Sequence, residues 1–150
     1  MSDAINQGGF MKKIAAAFVI CCAVAVSPLT FAVQKAPVGA KAYIISPKNG
    51  ETVTNPVTVL FGLSGMGVAP AGVVHDNTGH FHLLIDVKKS PKVGTIIPAD
   101  KNHIHYGGGQ TQATIDLSPG EHTLQLVMGD QGHMTFSPSV QSEKITITVK

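Results

Sequence analysis

The histidines of this chain are clustered, since all seven lie between His75 and His133. Four of them form two His-x-His pairs, His80/His82 and His103/His105. In an extended strand, side chains two residues apart point to the same face, so the two imidazoles of each pair can bind one ion together. Two such pairs on neighbouring strands would supply the nitrogen ligands of a metal site.

Residues 129–134 form a glycine-rich segment that adds three candidate ligands, Asp130, His133 and Met134. Imidazole suits copper, zinc and nickel, whereas a thioether favours Cu(I). Asp130 could bind the ion or orient a ligating imidazole, although an aspartate in such a loop is also common turn chemistry. Met134 is equally suited to packing. The segment therefore extends the candidate site beyond the two pairs.

The last candidate, His122, lies on a different kind of surface. Alternation along its strand places it on the side of Leu124, Leu126 and Met128, at the edge of an apolar face. A buried imidazole needs a hydrogen-bond partner or an ion. The sequence leaves both roles open for His122, as a structural residue or as a ligand.

Residues 11–32 have the features of a secretory signal peptide. Lys12 and Lys13 give a positive start, and the apolar run that follows is short for a membrane span. We predict cleavage after Ala32, which would leave a periplasmic protein with no membrane span. Residues 1–10 fit no part of such a peptide, so we interpret them as an upstream start or added residues.

Both cysteines, Cys21 and Cys22, lie inside the predicted signal peptide. The mature chain would therefore contain no thiolate, and any metal must be held by imidazole, carboxylate or thioether groups. From residue 33 onward the sequence has nine lysines, no arginine and eight acidic residues. This near balance offers no basic patch, which argues against nucleic-acid binding.

Period-two alternation, β-branched residues and closely spaced turn signals dominate the rest of the chain. They predict an all-β fold, an immunoglobulin-like antiparallel β-sandwich, in a single domain over 42–150 behind a flexible leader at 33–41. We expect seven short strands, at 42–46, 57–63, 80–87, 102–106, 111–117, 122–128 and 145–149. Phe81, Leu83 and Ile85 should face the core, which would turn His80 and His82 outward.

Four motifs resemble those of a family of small exported bacterial proteins. They are GHFHLLID at 79–86, HYGGGQT at 105–111, PGEHTLQL at 119–126, and Gly129-Asp130 with His133. The family is a domain of unknown function recognised by a PGxHTLQLxxGD signature, and the resemblance covers residues 42–150. It implies no activity, because the family has none established. The positions that match its motifs are His80, His82, His105, Gly107, Gln110, His122, Asp130 and His133.

Three functions are compatible with these observations. The first is a periplasmic metal-binding protein, with copper preferred and zinc as the alternative, that uses His80, His82 and His105 with His133. His103 ranks below His105 because it lies outside the family motifs. The second is a metal-free interaction module that binds an envelope partner. The third, a metal-dependent enzyme, is least favoured. For catalysis by a serine nucleophile, no Ser-His-Asp set has supporting spacing. We therefore expect no catalysis.

Overall fold

The regular structure of residues 32–150, the part of the chain that the computed structural model describes, consists of β-strands. The strands are β1 (Lys41–Ser46), β2 (Thr52–Val53), β3 (Val57–Ser64), β4 (Gly67–Val68), β5 (Thr78–Ile85), β6 (His103–Tyr106), β7 (Gln112–Ile115), β8 (Gly120–Gly129) and β9 (Ile145–Val149). Within these residues, no helix is long and apolar enough to cross a membrane. The predicted extension at 1–10 and the predicted signal peptide, apart from Ala32, lie outside the described residues.

The strands form two sheets. One has the order β1-β3-β7, and the other has the order β2-β9-β8-β5, with β6 and the short β4 both pairing with β5. This division corresponds to the A-B-E and C-F-G sheets of an immunoglobulin-like sandwich. The predicted all-β sandwich is confirmed, and each of the seven predicted strands is present. The arrangement is not wholly antiparallel, because β2 runs parallel to β9 and β4 runs parallel to β5.

The two additional strands, β2 and β4, contain two residues each. Strands this short carry no periodic signal, so alternation along the sequence did not predict them. The main core lies between the sheets and includes Phe81, Leu83 and Ile85 from β5 and Leu124 from β8. The rings of Phe61 and Phe81 pack across the two sheets with centroids 5.1 Å apart. The predicted apolar face of β5 is therefore the core face.

The opposite face of β5 is also buried, which corrects the expectation that His80 and His82 point outward to solvent. They lie on the face away from the main core, but only 0% and 1% of their surfaces are exposed. On this face Leu84, Val127 and Ile97 form a second apolar cluster. Ile97 comes from the long connection between β5 and β6, which folds back over the sheet. Alternation separates the two faces of a strand, but it does not reveal what covers each one.

Residues 33–41, which we expected to form a flexible leader, are partly docked. The amide of Ala36 donates to the Ser137 carbonyl at 2.9 Å, and the Ser137 amide donates to the Gln34 carbonyl at 2.9 Å. Ala36 is 6% exposed and belongs to the main core. The backbone of residues 34–36 therefore pairs with the segment that follows β8.

Candidate metal centre

Two of the candidate ligands come from β5, the most buried strand of the second sheet. His80 and His82 flank Phe81, whose ring fills the main core, so both imidazoles project from the other face. Strand β5 is paired with β8 from His80 to Ile85 and, on its other side, with β6 from Phe81 to Leu84. His82 is therefore held between two strands, and His80 is held by its pairing with Gly129 of β8.

The third ligand is set by the register between β5 and β6. His105 lies directly opposite His82, whereas His103 lies opposite Leu84. Residues that face each other across two strands have Cβ atoms about 5 Å apart, which brings the His105 ring to the cluster. His103 instead pairs with Asp100, with Nδ1 and Oδ1 2.8 Å apart. The structure thus joins one member of the second His-x-His pair to the site and leaves the other outside it.

The fourth ring comes from the loop after β8. Asp130, which is 3% exposed, uses one carboxylate oxygen to accept hydrogen bonds from the amides of Gly132 (2.8 Å) and Met134 (2.9 Å). The resulting tight loop holds His133 in the left-handed region, at φ 66°. Few non-glycine residues adopt this conformation, and strained positions of this kind are common at functional sites. Asp130 therefore shapes the loop that presents His133.

Four imidazoles meet in this way at one point of the sheet. The ligand atoms of His80, His82 and His105 all lie within 4.8 Å of one another. The Nε2 atoms of His80 and His82 are 3.1 Å apart. The ring centroid of His133 is 4.7 Å from that of His105 and 5.0 Å from that of His80. The nitrogen atoms of His80, His82 and His105 are close enough to act as ligands of one ion, and the His133 ring lies beside them.

The surroundings of the two buried rings favour their neutral form. Burial, and then the neighbouring His105 and His133, lower the pKa of His80 from 6.5 to about 4. Burial, followed by the charges of His80, His105, His133 and His103, lowers the pKa of His82 to about 3. The pKa of His105 is lowered for the same reasons. Because a metal ion binds the neutral imidazole, these shifts keep the ligands available near neutral pH.

The buried histidines are incompletely satisfied. Within residues 32–150, the Nδ1 atoms of His80 and His82 are buried without a hydrogen-bond partner. Between themselves, the two rings can form one hydrogen bond, from the Nε2 of one ring to the Nε2 of the other. Buried polar groups are nearly always satisfied, and exceptions call for an explanation such as an ion or a functional role. Histidines with a purely structural role would be expected to have partners for both nitrogens.

Two glycines make room for the imidazoles. A Cβ on Gly129 would stand 2.9 Å from His82 Nε2, and a Cβ on Gly107 would stand 2.5 Å from His105 Nε2. Any side chain at either position would displace a ligand ring. The sequence alone gives no signal for the role of Gly129. That role becomes visible only from the pairing of Gly129 with His80 across β8 and β5.

The remaining candidates lie apart from the four rings. Met134 lines a small apolar cavity with Ala32 and Ile96. His122 is at the far end of β8 from Gly129. Its Nδ1 is 2.8 Å from the Asp86 carboxylate, and its Nε2 donates to the Ser118 carbonyl at 2.9 Å. In the structure His122 therefore has a partner at each ring nitrogen.

Both partners of His122 are acceptors, so the bonds favour its protonated form. Burial lowers the pKa of His122, but the hydrogen bonds to Asp86 and Ser118 and the charge of Asp86 outweigh it and raise the pKa above 6.5. A raised pKa adds stability that is fully present below pH 6.5 and is lost as the pH rises through the folded-state pKa.

We expect His122→Ala to lower the free energy of unfolding by about 1 kcal/mol at pH 6, through the loss of hydrogen bonds to the exposed residues Asp86 and Ser118. The loss should be smaller at pH 9, because the stability that comes from a raised pKa is lost as the pH rises. Urea unfolding at both pH values measures it. The loss should be the same with and without a chelator, and a loss seen only with metal present would identify His122 as a ligand.

Comparison with known proteins supports one assignment. The model of a family described as a domain of unknown function, DUF4399, matches residues 59–150, a range that contains all four clustered histidines. No curated protein and no solved structure matches the chain. The resemblance predicted from the sequence motifs is thereby confirmed. The match covers more than half of the chain, so the chain belongs to the DUF4399 family.

Proposed function

We propose that this protein binds a transition-metal ion through the imidazoles of His80, His82, His105 and His133. The observation that supports the proposal is the mutual spacing of the four rings, whose six centroid distances all fall between 4.7 and 6.0 Å. Imidazoles that share one ion at a metal–nitrogen distance of about 2 Å have centroids about 5 Å apart. The unpartnered nitrogens of the buried pair also argue against a structural role.

The same distances favour a tetrahedral ion. A square-planar site has two opposed pairs with centroids about 6.4 Å apart, given metal–nitrogen bonds of about 2 Å. The His82–His133 pair, at 6.0 Å, approaches this value. The pair that would have to be opposed as well, His80 and His105, is at 4.9 Å. This geometry supports zinc over Cu(II), although the sequence alone favours copper.

A tetrahedral site with four protein ligands is closed, which suits binding, storage or delivery of the ion rather than catalysis on it. Cu(I) also accepts four ligands, but it prefers a thioether or thiolate, and the four rings offer only imidazole nitrogens. The periplasmic location that we propose rests on the features of residues 11–32. In that compartment the protein would bind zinc without using a cysteine.

A metal-free interaction module of the cell envelope is a second candidate. It is favoured by aliphatic side chains that stand in solvent, among them Val38 at 99% exposed, Val74 at 81% and Ile96 at 68%. Large aliphatic groups with this exposure are typical of surfaces that bind another protein when they are contiguous. This candidate predicts that added metal changes neither stability nor partner binding.

Titration in the presence of a competing chelator tests the metal proposal. Zn(II), Cu(II), Cu(I) and Ni(II) are added separately to the wild-type protein, to His82→Ala and to His103→Ala. We expect one zinc per chain in the wild type and in His103→Ala, and no binding above the chelator in His82→Ala. His103 is the matched control because it shares a strand and a face with His105 but lies outside the cluster. Failure of the wild type to compete for any of the ions would favour the interaction module.

A further inference from the structure

The four rings of the candidate site differ in their exposure to solvent. His80 and His82 are completely buried, whereas His133 is half-buried and His105 is exposed. Phe81 and the main core lie beneath the two buried rings, and Gly129 packs against His82. Within residues 32–150, the route of an ion to the buried nitrogens therefore passes His105 or His133.

These two outer ligands differ in how they are held. His105 belongs to β6, and its neighbours pair with β5 from Phe81 to Leu84. Moving it would break a strand ladder. His133 is held by a single loop, whose shape depends on hydrogen bonds from backbone amides to Asp130. The carbonyl of His133 also accepts a hydrogen bond from the amide of Ile97 at 2.8 Å, which ties the loop to the connection that covers the sheet. No strand ladder holds His133 itself, so moving it breaks fewer strand contacts than moving His105.

Two further features single out His133. The centroid of its ring is 6.0 Å from that of His82, whereas the centroid of the His105 ring is 5.0 Å from that of His82. Its backbone is in the left-handed region, a conformation that disfavours a residue with a Cβ. The three strand histidines thus form a compact platform, and the fourth ligand is added from a strained loop.

We propose that His133 is the exchangeable ligand of the site and that the ion enters and leaves past it. This inference rests on the proposed metal-binding function. In the exchange, the bond between the ion and the His133 nitrogen breaks as a bond forms to a nitrogen or oxygen donor of the receiving molecule. The platform of His80, His82 and His105 keeps its three bonds until that step is complete. Such a site is built for transfer of the ion rather than for its long-term storage.

The opening is narrow. The amide of Ala71 donates to the Gly107 carbonyl at 2.8 Å, and the amide of Gly72 donates to the Gln131 carbonyl at 3.0 Å. The segment at 71–72 therefore bridges the turn after His105 and the loop that carries His133. The receiving group must fit beside this bridge, which suits a single imidazole or carboxylate side chain, or a small chelator.

Stopped-flow removal of zinc by excess EDTA tests the inference. The proteins are the wild type, His133→Gly, His80→Ala and the control His103→Ala. Glycine is chosen at position 133 because it adopts the left-handed conformation without strain. We expect His133→Gly to retain one zinc per chain and to release it about 10- to 100-fold faster than the wild type. His80→Ala should bind no zinc, and His103→Ala should match the wild type.

The outcomes separate the two proposals. Release of zinc from His133→Gly at the wild-type rate would overturn the role of His133. The same conclusion would follow if His133→Gly, like His80→Ala, bound no zinc. Either result would leave the metal-binding function in place. A wild-type protein that holds no zinc would overturn the metal-binding function itself, and with it the inference. Circular dichroism of each variant shows whether its β-structure is retained, and the Asp130→Asn variant, which weakens the loop but keeps its histidine, should also release zinc faster.

Discussion

Zinc is expected to raise the midpoint of thermal unfolding of the wild-type protein by about 15 °C when the free ion is about 1,000-fold above its dissociation constant. Binding to the folded state alone at that ratio adds about 4 kcal/mol, and a domain of this size gains about 4 °C for each kcal/mol. The four ligands come from β5, β6 and the loop after β8, so the unfolded chain offers no comparable site. Differential scanning calorimetry with zinc and with EDTA measures the shift.

The matched variants for this experiment are His82→Ala and His103→Ala. The first should show no zinc-dependent shift, because it removes one of the two fully buried imidazoles of the cluster. The second should show the full shift, because His103 pairs with Asp100 outside the site. A shift that persists in His82→Ala would mean that the ion binds elsewhere, and the proposed ligand set would be wrong.

Acid is expected to destabilise the metal-free protein strongly. Burial and neighbouring histidines lower the pKa of His80 to about 4 and that of His82 to about 3, whereas both have the ordinary value of 6.5 in the unfolded chain. Between those limits the unfolded state binds more protons, so stability falls as the pH drops. At pH 5, which is 1.5 units below the unfolded-state pKa, each of the two histidines lowers the free energy of unfolding by about 2 kcal/mol. Together they predict a loss of about 4 kcal/mol between pH 7 and pH 5.

Urea unfolding in EDTA at pH 7 and pH 5 measures this loss. His82→Leu replaces one of the two groups with an apolar side chain, so it should reduce the loss by about half. His122 acts in the opposite direction between pH 7 and pH 6.5, because its raised pKa adds stability as the pH falls, and this effect is fully present below pH 6.5. Equal stability of the metal-free wild type at the two pH values would show that His80 and His82 are not held neutral by burial.

The sequence was sufficient to predict the sandwich, because β5 and β8 carry clear alternation and the turns are marked by proline and glycine. It also brought His80, His82 and His105 into one hypothesis. It could not separate His105 from His103 by physical argument, since that choice depends on the register of β6 against β5. Register is decided by contacts across strands rather than by the pattern within one strand.

The burial of His80 and His82 was missed for a related reason. Nothing in the sequence of β5 shows that Ile97, twelve residues after the strand ends, covers its outer face. The contribution of Asp130 was also open from sequence, because a loop-forming aspartate and a ligating one have the same spacing. Only the hydrogen bonds from Gly132 and Met134 identify its role in shaping the loop.

The cluster joins parts of the chain that are far apart in sequence, from His80 on β5 to His133 beyond β8. Closing a loop of about 50 residues is what a disulfide does in many small exported domains. From residue 32 onward this chain has no cysteine, so a bound ion would be its counterpart of such a cross-link. A cross-link made of coordination bonds opens when the ion is withdrawn. The resistance of the folded protein to proteases would then report how much metal its surroundings hold.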